Sequence, residues 1–414
     1  MRYLILTTSH GLLVDDQRMT NELVGALQQQ GHLVDVLFLK WQGESRGETQ
    51  VLKGPLNEDV LFVSAVSFPK SPGILQRLTK WSASPFKAAK AFRKHFSDRR
   101  YDAVISFTPA MLFRRIIGEL EGKNLINILL IHDFFPIHHL EIGLVPRRSG
   151  PFLHWIENKA IAAFDIIYCN LPSNISYLED NYTISKNQLV SWTPLWTRVE
   201  LASALATAGG EDIRSQYGLP KDQPIAVFGG QLTEGRGIED MLSASKLALE
   251  QRTNLLFLFI GSGRLASVVD TRANEPGGNV RRIAHVPRDD FLKIVSACDV
   301  GMAATVPGVT SHSFPTKIMD YLRAGIPAVV AVEPDSSLAK MVVDGGVGLS
   351  VSFGDVPGLL NALETAVHDP VFREPVAKSA WTFLQEVLDV NLVPGKIEAD
   401  MARLGAAKKQ EFAS

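Results

Sequence analysis

Short apolar runs alternate along this chain with longer stretches whose apolar positions return every third or fourth residue. Tyr3–Thr7 reads as a buried strand, Gln17–Gln30 as a helix with Leu23 and Leu27 on one face, and Leu33–Leu39 as the next strand, with Gly31 stopping the helix. The same rhythm gives strands at Val60–Ser64, Ala103–Phe107, Ile126–Ile131 and Ile166–Leu171. In the second half it gives Ile225–Phe228, Leu255–Ile260, Val280–Val286, Val300–Ala304 and Ala328–Val332, with helices at Ile238–Leu249 and Arg288–Ala297 between them. Strand and helix in regular succession predict an α/β fold with doubly wound parallel sheets. Every apolar run falls short of the ~18 residues that a membrane helix needs.

Length divides that picture in two. The chain has 414 residues, more than the ~250 to 300 over which one core keeps growing, so two domains are expected. Composition changes at Trp192–Trp196 (WTPLW) and the alanine-rich Leu201–Gly210, which reads as the linker. The expected domains are therefore 1–198 and 199–375, with a helical tail, 376–414, able to pack back on the first. A formal net charge of −2 offers no basic field, so nucleic acid is not an expected partner. Cys169 and Cys298 fit neither a disulfide framework nor a metal spacing, which predicts a reducing compartment. The N-terminal MRYLILTTSHG has neither the apolar length nor the cleavage site of a signal peptide, so a cytoplasmic protein is expected.

Candidate chemistry lies in the loops that follow strands, because doubly wound sheets bind ligands at their carboxyl edges. The first such loop, TTSHGLLVDD, has one glycine, Gly11, where a dinucleotide fingerprint needs three; a nicotinamide cofactor is not expected. His132-Asp133 follows Ile126–Ile131, and His132 is either a site residue or a loop histidine satisfied by Asp133 or a carbonyl. In GGQLTEGRG, residues 229–237, Gly229 and Gly230 permit close backbone approach, and Arg236 adds its charge to the free N–H groups of the next helix. Gly261-Ser262-Gly263 is a second tight turn. SHSFPTKIMDYLRAGIP, residues 311–327, reads as a proline-opened helix ended by Gly325 and Pro327, its start facing an anion. Lys317 and Asp320, three apart, read either as ligand contacts or as an ordinary intrahelical pair. Between Lys70 and Arg100, basic residues interleave with Trp81, Phe86, Phe92 and Phe96 against Asp98 alone. That surface is either a solvated helix or a seat on anionic lipid, worth about 1 kcal/mol per basic residue.

Taken in order, these pieces resemble the family 4 retaining glycosyltransferases of the GT-B fold, in the form found among bacterial surface-polysaccharide enzymes. NELVGALQQQGHLVDVL is similar to the family's first helix and its Gly-His stop. GGQLTEGRGIEDMLSA resembles the G-R-L-x-x-x-K-G loop, FIGSGRL the G-x-G turn, and VRRIAHVPRDDFLKIVSACDVGMAA the V-x-F-x-G-x-V-P segment. SFPTKIMDYLRAGIPAVV resembles the E-A-M-A-x-G-x-P-V-V helix in its P-[ST]-K-x-x-[ED]-Y variant.

The resemblance implies two Rossmann-like domains facing across a cleft, the second holding a nucleotide-sugar, by family habit a UDP-sugar. The first would hold a lipid-linked or polysaccharide acceptor. Asp320 would bond the ribose hydroxyls, Arg236 would neutralise the departing diphosphate, and the backbone of Val286 would hold the base. Gly229, Gly230, Gln231, Gly261, Ser262, Ser313, Phe314 and Lys317 would complete the donor site, with Gly11, His132 and Asp133 on the acceptor side. Three positions depart from the family: His312 replaces the first acid of E-x7-E, Gln231 replaces the arginine of G-R-L, with Lys317 as a substitute cation, and Asp320 is one methylene shorter than the second acid, a glutamate.

The implied reaction retains configuration: nucleoside diphosphate leaves, the acceptor hydroxyl enters from the same face, and a phosphate oxygen takes its proton. It needs no enzymic nucleophile, metal or cofactor, in keeping with a chain that shows no nucleophile elbow, metal-ligand cluster or convincing carboxylate pair. Two other readings stay open: a GT-B UDP-sugar 2-epimerase, which needs acid and base carboxylates around the sugar, and a nucleotide-binding subunit inactivated at Gln231 and His312. Peripheral contact with the inner face of the plasma membrane through Lys70–Arg100 completes the expectation.

Overall fold

A computed structural model of the chain describes residues 1–411 apart from 15, 17, 42–47, 67–73, 142–145, 200–209, 306–310 and 334; for 74–78, 139, 210–212 and 407–411 it describes the backbone alone. Most of the linker reading, and Lys70 with its neighbours, lie outside the described residues. The chain forms two compact units, Met1–Trp196 together with Val390–Ser414, and Thr197–Asp389.

The first unit is built on eight strands: β1 (Arg2–Thr7), β2 (Leu33–Lys40), β3 (Gln50–Lys53), β4 (Asp59–Ser64), β5 (Ala103–Phe107), β6 (Ile126–Ile131), β7 (Ile166–Cys169) and β8 (Leu189–Trp192). Their order is β3-β4-β2-β1-β5-β6-β7-β8, parallel throughout except for the edge strand β3. Alternation along β1 shows why both faces need covering. Leu4 and Leu6 join a core with Phe92, Ile116 and Ile161, while Tyr3 and Ile5 join the opposite core with Leu23, Leu27 and Ile397. Helices Ile74–His95, Arg114–Leu120 and Gly150–Ile161 supply the first cover, and Met19–Gln29 with Leu392–Glu411 the second. The tail helix is tied down by Tyr168, whose hydroxyl donates to Asp400 Oδ2 at 2.8 Å.

The second unit has six parallel strands, β9 (Ile225–Gly229), β10 (Leu256–Ile260), β11 (Val280–Ile283), β12 (Val300–Ala304), β13 (Ala328–Val332) and β14 (Gly348–Ser352), in the order β11-β10-β9-β12-β13-β14. Strand order reverses between β9 and β12, and that is where such a sheet opens for a ligand.

Four expectations are corrected. Trp192, read as linker, ends β8, and β3 and β14 were not foreseen; all three are short edge strands. Residues 376–389 belong to the second unit, so the chain re-enters the first only at Val390. The helix expected to open at Pro315 spans Lys317–Arg323, with the Pro315 carbonyl accepting from the Ile318 amide at 3.1 Å. Its end is as expected: Gly325 takes φ +70°, and Ile326 N donates back to Tyr321 O at 3.1 Å, a C-terminal cap that only glycine adopts without strain.

Candidate active site

At the reversal point of the second sheet, two glycine turns lie against each other. Gly230 N donates to Ile260 O at 2.9 Å, Leu232 N to Ser262 O at 2.9 Å, and Leu265 N to Leu232 O at 2.9 Å. The approach is so close that a Cβ on Gly261 would stand 1.9 Å from the Gly230 carbonyl oxygen, and one on Gly229 would stand 2.3 Å from the Phe291 ring. Glycine is thus required by contact as well as by the φ of +144° at Gly261. Gln231 and Ser262 are exposed on these turns.

Two cations converge on the same loops. Lys317 Nζ lies 4.9 Å from the Phe228 ring centroid, and its stem would touch a side chain at Gly230. Burial, and then the charge of Arg236, push Lys317 down to about 8, with Asp320 opposing them. Arg236 itself is exposed, just before Gly237, whose φ of +71° sets the start of helix Ile238–Glu250. Among the described residues neither Lys317 nor Arg236 forms an ion pair with a carboxylate. Two like charges held together beside amide-rich turns make a site for an anion.

Asp320 is engaged differently from either expectation for it. It is buried, and both oxygens are taken: Arg288 Nη1 donates to Oδ2 at 2.8 Å, Arg288 Nη2 donates to Oδ1, and Arg323 Nη1 reaches Oδ1 at 3.2 Å. The carboxylate therefore bonds two arginines and forms no pair with Lys317, three residues before it. The Arg288 side chain remains 56% exposed, so the pair can open toward solvent. Sequence reading missed Arg288 because it stands 32 positions from Asp320; its one signal was a place two residues after Val286. Val286 is half-buried in that connection, and Ser313 is half-buried beside the buried Phe314. His312, standing for the family's first acid, has Nε2 3.4 Å from Oδ1 of Asp335, an exposed carboxylate that sequence reading also missed.

In the first unit, Gly11 and His132 both follow strands at the carboxyl edge, on loops after β1 and β6. The His132 ring packs edge-on against Phe107 at 5.0 Å and Trp196 at 6.0 Å, and its carbonyl accepts from Asn170 Nδ2 at 2.8 Å. Its Nε2 is buried with no hydrogen-bond partner. Burial pushes its pKa down to about 4, although exposed Asp133 pulls the other way, so the ring is neutral at ordinary pH. Gly11 is held from inside: its amide donates to Asn21 Oδ1 at 2.8 Å and its carbonyl accepts from Asn21 Nδ2 at 3.0 Å. Beneath it, buried His10 bonds Glu58 Oε1 at 3.0 Å and Thr20 Oγ1 at 3.2 Å. The Gly11 backbone is spent on its own loop. Among the described residues, no group of three His, Cys, Asp or Glu is placed to hold a metal ion.

Known proteins share this plan. The family described as Glycosyltransferase Family 4 matches residues 17–194, and that described as Glycosyl transferases group 1 matches residues 210–381. The WcaI protein of Escherichia coli (strain K12), described as a colanic acid biosynthesis glycosyl transferase, is 22% identical over 378 residues, covering 86% of this chain and 90% of WcaI. A GDP-mannose-dependent mannosyltransferase of Corynebacterium glutamicum, acting on a monoacylated phosphatidylinositol monomannoside, is 25% identical over 39% of this chain and 42% of its own. The crystal structure of Anabaena HepE in complex with UDP-glucose superposes with a TM-score of 0.65 at 14% identity, covering 97% of this chain and 100% of HepE. Two parallel-sheet units, each carrying its own family match, make the chain a member of the family 4 and group 1 glycosyltransferases, with the GT-B fold.

Proposed function

We propose that the protein transfers a sugar from a UDP-sugar to a lipid-linked or polysaccharide acceptor, with retention of configuration and without a metal. The observation that carries this reading is the cation pair Arg236 and Lys317, which form no ion pair with a carboxylate among the described residues and stand beside the interlocked turns at Gly230 and Gly261. A diphosphate fits it. The largest charge that develops during transfer is on the leaving diphosphate, and preorganised cations stabilise it most. With the dianion bound, Lys317 regains full protonation, and the acceptor proton goes to a phosphate oxygen. Asp320 becomes available to ribose hydroxyls when Arg288 swings toward the donor. Neutral His132 can donate or accept one hydrogen bond to the transferred sugar, and Asp335 beside His312 restores a carboxylate where the family's first acid is missing. The UDP preference is supported by HepE, whose structure holds UDP-glucose, and a lipid-linked acceptor by the phosphatidylinositol mannoside named for the Corynebacterium relative; on this reading the protein works in the cytoplasm, peripheral to the inner membrane.

The test incubates the protein with UDP-glucose, UDP-galactose, UDP-N-acetylglucosamine and GDP-mannose and follows nucleotide release and the fate of the sugar. Slow release of nucleoside diphosphate with an α-configured sugar product is expected. Epimerised sugar-nucleotide without diphosphate would mean an isomerase; tight binding with neither product would mean a binding subunit.

A further inference from the structure

On one face of the first sheet, the three helices that cover it, Ile74–His95, Arg114–Leu120 and Gly150–Ile161, border an open cleft of about 700 Å³. Its walls are aromatic and its rim is cationic. Phe86 and Trp155 line it and are 53% and 52% exposed, and Phe152, next to Trp155, is 62% exposed. Such rings lose contact with water only when something covers them. Arg115 lies 3.5 Å over the Phe86 ring, and Lys159 Nζ lies 4.0 Å over the Trp155 ring. Acids on and beside these helices are already engaged, Glu119 by Arg93 at 2.8 Å, Glu121 by Arg114 at 2.9 Å, and buried Glu157 by the Ala110 and Met111 amides at 2.7 and 3.0 Å. Arg115, Lys159 and the exposed Lys87 and Lys90 are left facing outward, in a chain whose net charge is −2.

We infer that this cleft rests on an anionic lipid surface, its rings entering the headgroup layer and its cations meeting lipid phosphates. Aromatic rings capped by cations suit a membrane interface, where one end of each side chain is apolar and the other wet. The inference narrows the expected basic stretch to its Phe86–Lys90 portion and adds two elements that sequence reading left out, Arg115 and the Trp155–Lys159 turn. It also gives the surface a line to the acceptor side. Trp81 lines the cleft and stacks on Phe135 at 4.9 Å, three residues beyond His132. A lipid-linked acceptor lying in the bilayer would thus enter beside His132. The inference deepens the reading of a membrane-borne acceptor, and it is tested without relying on transfer.

The experiment floats the full-length protein with vesicles of phosphatidylcholine alone or containing 30 mol% phosphatidylglycerol, while thermal shift with UDP reports the donor unit separately. Binding to the anionic vesicles, weakened by salt and absent from pure phosphatidylcholine, is expected. Removing two charges in R115Q/K159Q lowers partitioning by about fivefold per charge, and F86S/W155S abolishes it, with melting temperature and UDP shift unchanged. Brominated lipid quenches the fluorescence of the native protein more than that of W155F, which still binds. Equal binding to both vesicles, undiminished binding by the two double variants, or a dimer dissolved by F86S/W155S would each overturn the inference. A lost UDP shift with retained flotation would instead count against the donor reading alone.

Discussion

At the scale of single residues the second unit is marked by two cations, Arg236 and Lys317, that form no ion pair among the described residues. Arg236→Ala lowers kcat by roughly 10²-fold, as loss of a preorganised charge-stabilising group does, with folding intact by circular dichroism. Lys317 adds a proton-linked signature. Its pKa falls from 10.5 in the open chain to about 8, so between those values the unfolded chain holds a proton that the folded chain has released. Stability of the unliganded protein therefore rises with pH across that window and is penalised in full below it; Lys317→Met removes the slope in pH-dependent denaturant titrations. A bound diphosphate reverses the shift, so UDP binding near pH 8.5 takes up a proton, read by calorimetry in buffers of different ionisation heat. Arg236 and Lys317 were legible in the sequence because each sits inside a local motif. Arg288 was not: a bidentate partner 32 positions away leaves no periodic or motif trace, and only folding brings it to Asp320.

Among the elements, the buried strands were readable, since continuous apolar runs such as INILLI have one stable use in a parallel sheet. The misses are where that signal thins. QVLK at β3 is a four-residue antiparallel edge that exposes most of itself, and LVSW at β8 merges into the tryptophan-rich segment taken for a linker. Helix Lys317–Arg323 has only seven residues, and its tertiary anchors hold it more than its own turns do. Tyr321 donates to Met302 O at 2.8 Å, and a Cβ at Gly301 would fall 2.2 Å from that ring. The interlocked glycine turns allow a sharper test. Gly261→Ala puts a methyl into the Gly230 carbonyl at a φ that alanine rarely adopts, so both turns must move. UDP affinity falls at least tenfold by titration calorimetry, while UDP-independent folding of the first unit is unchanged.

For the whole molecule the division into two sheet units followed from length and rhythm, but the route of the chain did not, because a helical tail can cover any apolar face. Here Val390, Val393, Ile397 and Leu404 complete a core otherwise made by residues before 197. Ile397→Ala lowers stability by about 2 to 5 kcal/mol in urea unfolding, and the loss belongs to the first unit although the mutation lies near the other end of the chain. A chain ending at residue 389 is expected to lose its first-unit transition and keep the second.

That returning helix also orders events during synthesis. The ribosome delivers the first sheet early and the strip of side chains that seals one of its faces last, so the nascent protein carries an open apolar face for as long as the intervening second unit takes to emerge. Premature termination soon after the second unit yields a product whose second unit is complete but whose first sheet keeps an unsealed face, the form that chaperones and proteases would meet first.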